Sequence, residues 1–217
     1  KKSLFLLTII CSCVFSQNNP WGGISVSTSD NLDALSLNPA GLGVDREKQF
    51  GVSLFNIEGS TKYIFNTANR DGGFGSTFSI LNYEKKSDLD YSFAFGFPIE
   101  GQKLMGGIQW FSKRLFRIGT LVRPSNFLSV GFTADYSQET SEWLDVKLGA
   151  GFRPLDHKVS VGLDLYSDNI DFDNIRSSIF ADIIPMEGLN VNFSYRPKAD
   201  FYNEEFRISV GFNFGVV

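Results

Sequence analysis

Tyr91-Ser92-Phe93-Ala94-Phe95-Gly96-Phe97 sets an aromatic ring on every second position, with one small residue between neighbours. A period of two belongs to a strand whose two faces differ chemically. Leu128, Val130, Phe132, Ala134 and Tyr136 alternate with Ser129, Gly131, Thr133 and Asp135 in the same way, and so do the runs from Leu144 to Phe152 and from Phe206 to Phe214. Runs of about 9–11 residues suit a tilted strand that crosses a bilayer, whereas an average strand has about 5–6.

Followed outward from these runs, with turns read at Gly, Pro, Asn and Asp, the alternation predicts about twelve strands. They fall at 49–58, 61–67, 74–84, 89–98, 103–112, 114–123, 127–137, 142–153, 158–167, 175–184, 189–196 and 205–215. Pro98, Pro124, Pro154 and Pro185 recur at intervals of 26, 30 and 31 residues, two strands to each interval. Proline donates nothing to a ladder and belongs at strand ends, so an up-and-down meander puts all four on one rim. Two of these turns open with Arg123-Pro124 and Arg153-Pro154. The opposite rim, Lys85 to Asp88, Ser112 to Arg114, Ser137 to Ser141 and Ser167 to Asn174, is more charged. A further match, Arg196-Pro197, falls on that wrong rim: either a strand near residues 175–196 is miscounted or the match is coincidental.

Alternation alone leaves open whether the apolar face meets lipid or a protein core. The other face decides the expectation. It holds mostly Gly and Ser with scattered charges, among them Asp135, Asp145, Lys147, Asp164, Asp182 and Arg207, which suits a crowded polar lumen better than a surface in bulk water. Tyr83, Tyr91, Trp110, Tyr136, Trp143, Tyr166 and Tyr195 fall near strand ends, where interfacial aromatic girdles are expected. The fold class expected is therefore all-β: an antiparallel up-and-down transmembrane β-barrel of about twelve strands with an N-terminal plug or lead-in segment. A soluble periplasmic binding barrel is the rival with the same periodicity.

Residues 1–16 read as a cleaved signal peptide: Lys1 and Lys2, an apolar run from Leu4 to Phe15, and small residues before Gln17. A second reading makes Cys13 a lipoprotein site. Both cysteines lie in this leader, so a mature chain from Gln17 has neither a disulfide nor a thiolate metal site. Without the two lysines the formal charge moves from −4 to −6, which gives nucleic acid no basic surface. Residues 17–48 form an N-terminal periplasmic or plug segment, and 49–217 the barrel, read as truncated at the C-terminus because Val216 and Val217 follow Phe214.

In the N-terminal segment Ser29 or Asp30 caps a short helical turn carrying Leu32 and Leu35, ended by Asn38-Pro39; its plainest reading is a loose lead-in. Asp33, Ala34 and then Asn38-Pro39-Ala40-Gly41-Leu42, just ahead of the first strand, resemble the start of mature FadL-type outer-membrane proteins and the related PorV-type barrels. The resemblance implies a segment folded into the barrel as a plug, with Asn38, Pro39, Ala40 and Gly41 lining the lumen. It also implies outer-membrane lipid as surroundings, and as partners either hydrophobic small molecules in transit or proteins of a secretion system. FadL-type members are longer, with large extracellular loops. Short barrels of this kind also stand ahead of other domains in longer proteins.

Catalytic chemistry finds no support. His157 is the only histidine, in the turn Asp156-His157-Lys158, so neither a Ser-His-Asp triad nor a usual zinc site is available. Asp164, Asp168, Asp171 and Asp173 gather about an outer loop but lack the central Gly and closing Glu of a calcium loop. Gly72-Gly73-Phe74-Gly75 is a hairpin device rather than a phosphate loop, since no Lys-Ser or Lys-Thr follows. The expectation is a bacterial envelope protein of Gram-negative type with no enzymatic activity, cofactor or metal. Its function is that of a channel for small hydrophobic molecules, of a non-transporting structural or secretion-accessory barrel, or of the N-terminal barrel of a longer protein.

Overall fold

The computed structural model describes residues 25–30, 32–44, 49–57, 60–69, 73–83, 86–155, 158–168, 170–186, 189–198 and 204–212. The leader with Cys13, the lead-in up to residue 24, Gly72, His157, Val216 and Val217 lie outside the described residues.

Twelve strands follow one another: β1 Gln49–Ile57, β2 Ser60–Asn69, β3 Phe74–Tyr83, β4 Lys86–Glu100, β5 Leu104–Phe111, β6 Leu115–Ser125, β7 Leu128–Ser137, β8 Glu142–Phe152, β9 Val159–Asp168, β10 Arg176–Met186, β11 Leu189–Arg196 and β12 Glu205–Phe212. Each pairs antiparallel with the next in a single sheet ordered β1 to β12. This is the all-β up-and-down meander that the alternation implied. Among the described residues no ladder joins β12 back to β1. No described helix is long and apolar enough to cross a membrane, which says nothing of strands.

The sheet curls around the N-terminal segment, residues 25–44. Two short 3-10 turns, Leu32–Leu35 and Pro39–Gly43, lie on the concave side. Leu32, Ala34, Leu35 and Leu42 pack with Ala68 of β2 and Ala94 of β4, while Ala40 and Val44 pack with Met105 of β5 and Leu121 of β6. The expectation of a loose lead-in is overturned for this stretch. Its backbone lies against the inner wall, and Val26, Ala34, Asn38 and Ala40 are buried.

The period of two sorts the wall. On β4, Ser92, Ala94 and Gly96 face in and are buried, while Phe93, Phe95 and Phe97 face out, Phe95 at 46 % exposure. Ile108, Ile118, Leu148, Phe152, Leu163, Ile179 and Ile208 share that outer surface. Among the described residues 20 buried side chains are polar or charged against 14 apolar, the reverse of a water-soluble core.

Three details correct the sequence reading. β4 begins at Lys86, so the connection expected at Lys85 to Asp88 is strand for most of its length. The strand count near 175–196 stands, so Arg196-Pro197 lies on the rim opposite the other prolines and its match to the Arg-Pro turns is coincidental. Tyr166 faces inward with Asp164, its ring beneath the guanidinium of Arg176 at 4.6 Å, and so leaves the outer girdle. Tyr91 with Trp110 and Tyr136 with Trp143 do form edge-on pairs, at 5.6 and 5.3 Å, near the charged rim. Three of the four prolines sit at bulges: the register shifts between Pro98 and Glu100, Val122 and Ser125, and Ile183 and Met186. A bulge leaves one residue of the ladder unpaired, which is where a residue without an N–H does no harm.

Candidate functional site

Chain and wall meet most closely along a row of inward glycines. Gly96 of β4 is in register with Gly107 of β5, and Gly107 with Gly119 of β6. An ideal Cβ on Gly96 would stand 2.5 Å from the Pro39 carbonyl oxygen; on Gly107 and Gly119 it would come closer still to Ala40 N and Asn38 Oδ1. Gly131 and Gly149, paired across β7 and β8 and offset by two residues from the row, lie beneath Val26. The residues flagged in the sequence, Asn38, Pro39, Ala40 and Gly41, are all buried on this row. Gly41 is itself confined, since a Cβ there would overlap the Ser29 carbonyl oxygen. The segment can come this close only because these wall residues carry no Cβ.

Asn38 sets the local fold. Its Oδ1 accepts from Ala40 N at 3.1 Å, capping the 3-10 turn that Pro39 opens, and its Nδ2 donates to Val26 O at 2.8 Å and Thr120 O at 3.0 Å. One side chain thus joins two parts of the segment to β6. It is fully buried, so each bond replaces water that has no access.

Wall side chains grip the segment along its length. Gln109 of β5 donates from Nε2 to Leu35 O at 2.7 Å and to Ser92 Oγ at 2.9 Å. Arg117 of β6 donates from Nη1 to Ser36 O at 2.5 Å and holds its register partner Asp135 of β7 through Nε and Nη2, at 2.6 and 2.7 Å. Asp164 of β9 accepts from Ser25 Oγ at 2.6 Å and Val26 N at 3.3 Å. Asp30 is clamped from the proline rim by Arg123 and by Arg153, the latter at 2.8 Å. These arginines come from the two Arg-Pro turns, so that repeat places a matched pair of guanidinium groups around one carboxylate.

Of the candidates read from sequence, Asp135 and Asp164 lie in the interior, as expected for luminal charges. Asp164 is thereby separated from Asp168, Asp171 and Asp173. Asp168 pairs with Arg176, and Asp171 accepts from Asp173 N at 3.1 Å and Asn174 Nδ2 at 2.6 Å to close a 3-10 turn. The sequence reading missed Gln109 and Arg117, and gave Asp30 only a capping role. Position parity marked both wall residues as inward, but nothing local names a partner more than seventy residues away.

Above the segment, toward the charged rim, lies a half-open cavity of about 320 Å³ bordered by β2 to β6. Its floor includes Leu35 and Ser36, and its walls include Asn66, Thr77, Ser79, Ser92, Phe111 and Arg117. Lys113 stands at its mouth, paired with Asp90 at 3.2 Å and Asp88 at 3.3 Å. Hydrogen bonds to Asp90 and then Asp88 hold the Lys113 ammonium pKa above the ordinary lysine value.

Fold and seat together define a class: an antiparallel meander with an apolar exterior and a polar interior occupied by its own N-terminal segment. No family model matches the chain, and no curated protein matches it. Among solved structures it is similar to a mutant of the Rh. blastica porin, with 14% identity, a TM-score of 0.47, and coverage of 72% of this chain and 56% of that one. The match spans little more than half of that porin's length.

Proposed function

We propose that this protein is an outer-membrane β-barrel, FadL/PorV-like in design, held in lipid by its strands and closed by its own N-terminal segment. The observation that carries the reading is the outward row of Phe, Ile, Leu and Val side chains opposite an interior of Ser, Asn, Asp, Arg and Gly. Water disfavours the first surface and lipid the second, so the two are compatible only when lipid surrounds the wall. Strands of 8 to 15 residues are long enough for that passage. Export through a cleaved leader at residues 1–16 belongs to the same reading. The barrel performs no enzymatic step.

Of the uses that the resemblance suggests, the filled lumen favours a non-transporting anchor or secretion accessory over an open conduit. Passage of small hydrophobic molecules would require residues 25–44 to leave their seat. The test is reconstitution into liposomes loaded with a small dye. The intact chain is expected to retain it, whereas Gly107→Leu, which drives a side chain into Ala40, and a deletion of residues 25–44 are expected to leak. Unchanged retention by both folded variants would remove the closing role. Release of the protein from membranes by a carbonate wash would instead favour the soluble periplasmic barrel.

A further inference from the structure

We propose that the cavity above the seated segment is a binding site for a small neutral molecule rich in hydroxyl or amide N–H donors, of about monosaccharide size. The site goes beyond the closed-barrel reading and does not depend on the segment moving.

The chemistry of the lining selects this class by what is already committed. Arg117 spends Nε and Nη2 on Asp135 and one Nη1 N–H on Ser36 O, so its charge is neutralised by Asp135 and three of its five N–H groups are taken. Lys113 is shared between Asp88 and Asp90. An anion entering here meets cations that are already paired, and a cation meets Asp90 already paired with Lys113. What remains is acceptor capacity. Asn66, 4 % exposed, keeps its Oδ1 without a partner among the described residues. A buried amide oxygen without a partner loses the hydrogen bond that water would supply, so a donor placed there is favoured. Thr77 and Ser79 add hydroxyls on the same wall, while Ser92 already accepts from Gln109. Ile64, Phe111, Leu115 and Leu35 supply an apolar counterface, with one side of the Phe111 ring covered by Arg117 at 5.4 Å. A molecule with hydroxyls on one edge and C–H groups on its face fits that division. The volume, about 320 Å³, falls at the small end of ligand pockets, roughly 300–1,000 Å³.

The experiment uses the full chain in a sugar-free zwitterionic detergent and follows ligand signals by saturation-transfer NMR, titrating methyl β-glucoside, hexanoate and hexylammonium separately. Saturable binding of the glucoside alone is expected. Asn66→Leu, which keeps the volume and removes the amide, is expected to weaken it at least fivefold, while Leu155→Ala in a distant turn leaves it unchanged. Thr77→Val, a second lining change on a partly exposed side chain, is expected to weaken it severalfold and decides the matter should Asn66→Leu fail to fold. Absence of saturable glucoside binding, tighter binding of either charged probe, or glucoside binding that neither folded lining variant alters would each overturn the assignment.

Discussion

Asn38 shows how much one side chain does in this molecule. It caps a turn, ties that turn to Val26 and reaches Thr120 on β6, all without water. Asn38→Ala removes three bonds, leaves the Ala40 N–H without its cap and leaves Val26 O with only the 3.4 Å bond from Ser29 Oγ, so a loss of about 1–3 kcal/mol is expected. Urea unfolding in detergent checks this as a lowered midpoint, and Asn38→Asp is expected to lose at least as much, since its second carboxylate oxygen would face the Val26 and Thr120 carbonyl oxygens. The Asn-Pro-Ala-Gly pattern is visible in the sequence because capping is local. Its partner Thr120 lies 82 residues away, and no local signal identifies it.

Elements meet the segment through charge as well as packing. The Arg-Pro repeat is legible as a hairpin device, and the structure adds its second use: Arg123 and Arg153, on successive turns of one rim, converge on Asp30. The Asp30 side chain is 3% exposed and those of Arg123 and Arg153 15% and 12%. Asp30→Ala removes the buried carboxylate on which two largely enclosed guanidinium groups converge, so destabilisation of about 3–5 kcal/mol is expected. Replacing all three by apolar residues, as Asp30→Leu with Arg123→Met and Arg153→Met, is expected to recover much of that loss, because the cost lies in the unpaired charge. Unfolding midpoints of the single and triple variants make the comparison, and a triple variant no more stable than Asp30→Ala would refute it. Proline placement was equally legible at this scale. The bulges that accommodate Pro98, Pro124 and Pro185 were not, because a bulge is a property of two paired strands and the alternation describes one.

At the scale of the whole molecule, the membrane reading turns on the outer surface. Leu148, 47 % exposed near the middle of β8, is expected to tolerate Arg poorly: about 2–4 kcal/mol of folding free energy lost in lipid vesicles. Leu155→Arg, in the turn beyond β8, is expected to lose about 0–1 kcal/mol, as near an interface. In a water-soluble barrel both changes would be close to neutral, since each side chain is already exposed. Equal, small effects at the two sites, measured by refolding into vesicles, would exclude lipid as the neighbour of β8.

The sequence by itself determined the strands, their number and order, and which side chains share a face. These follow from a period of two and from turn chemistry, both of which act within a few residues. Only the tertiary structure decided that residues 25–44 lie buried against the inner wall, that glycines from five strands come to lie beneath them, and that Asp30, Asn38, Gln109, Arg117 and Asp164 hold them there. Those contacts join residues far apart in the chain, and they exist only once curvature of the sheet brings its concave face around the segment.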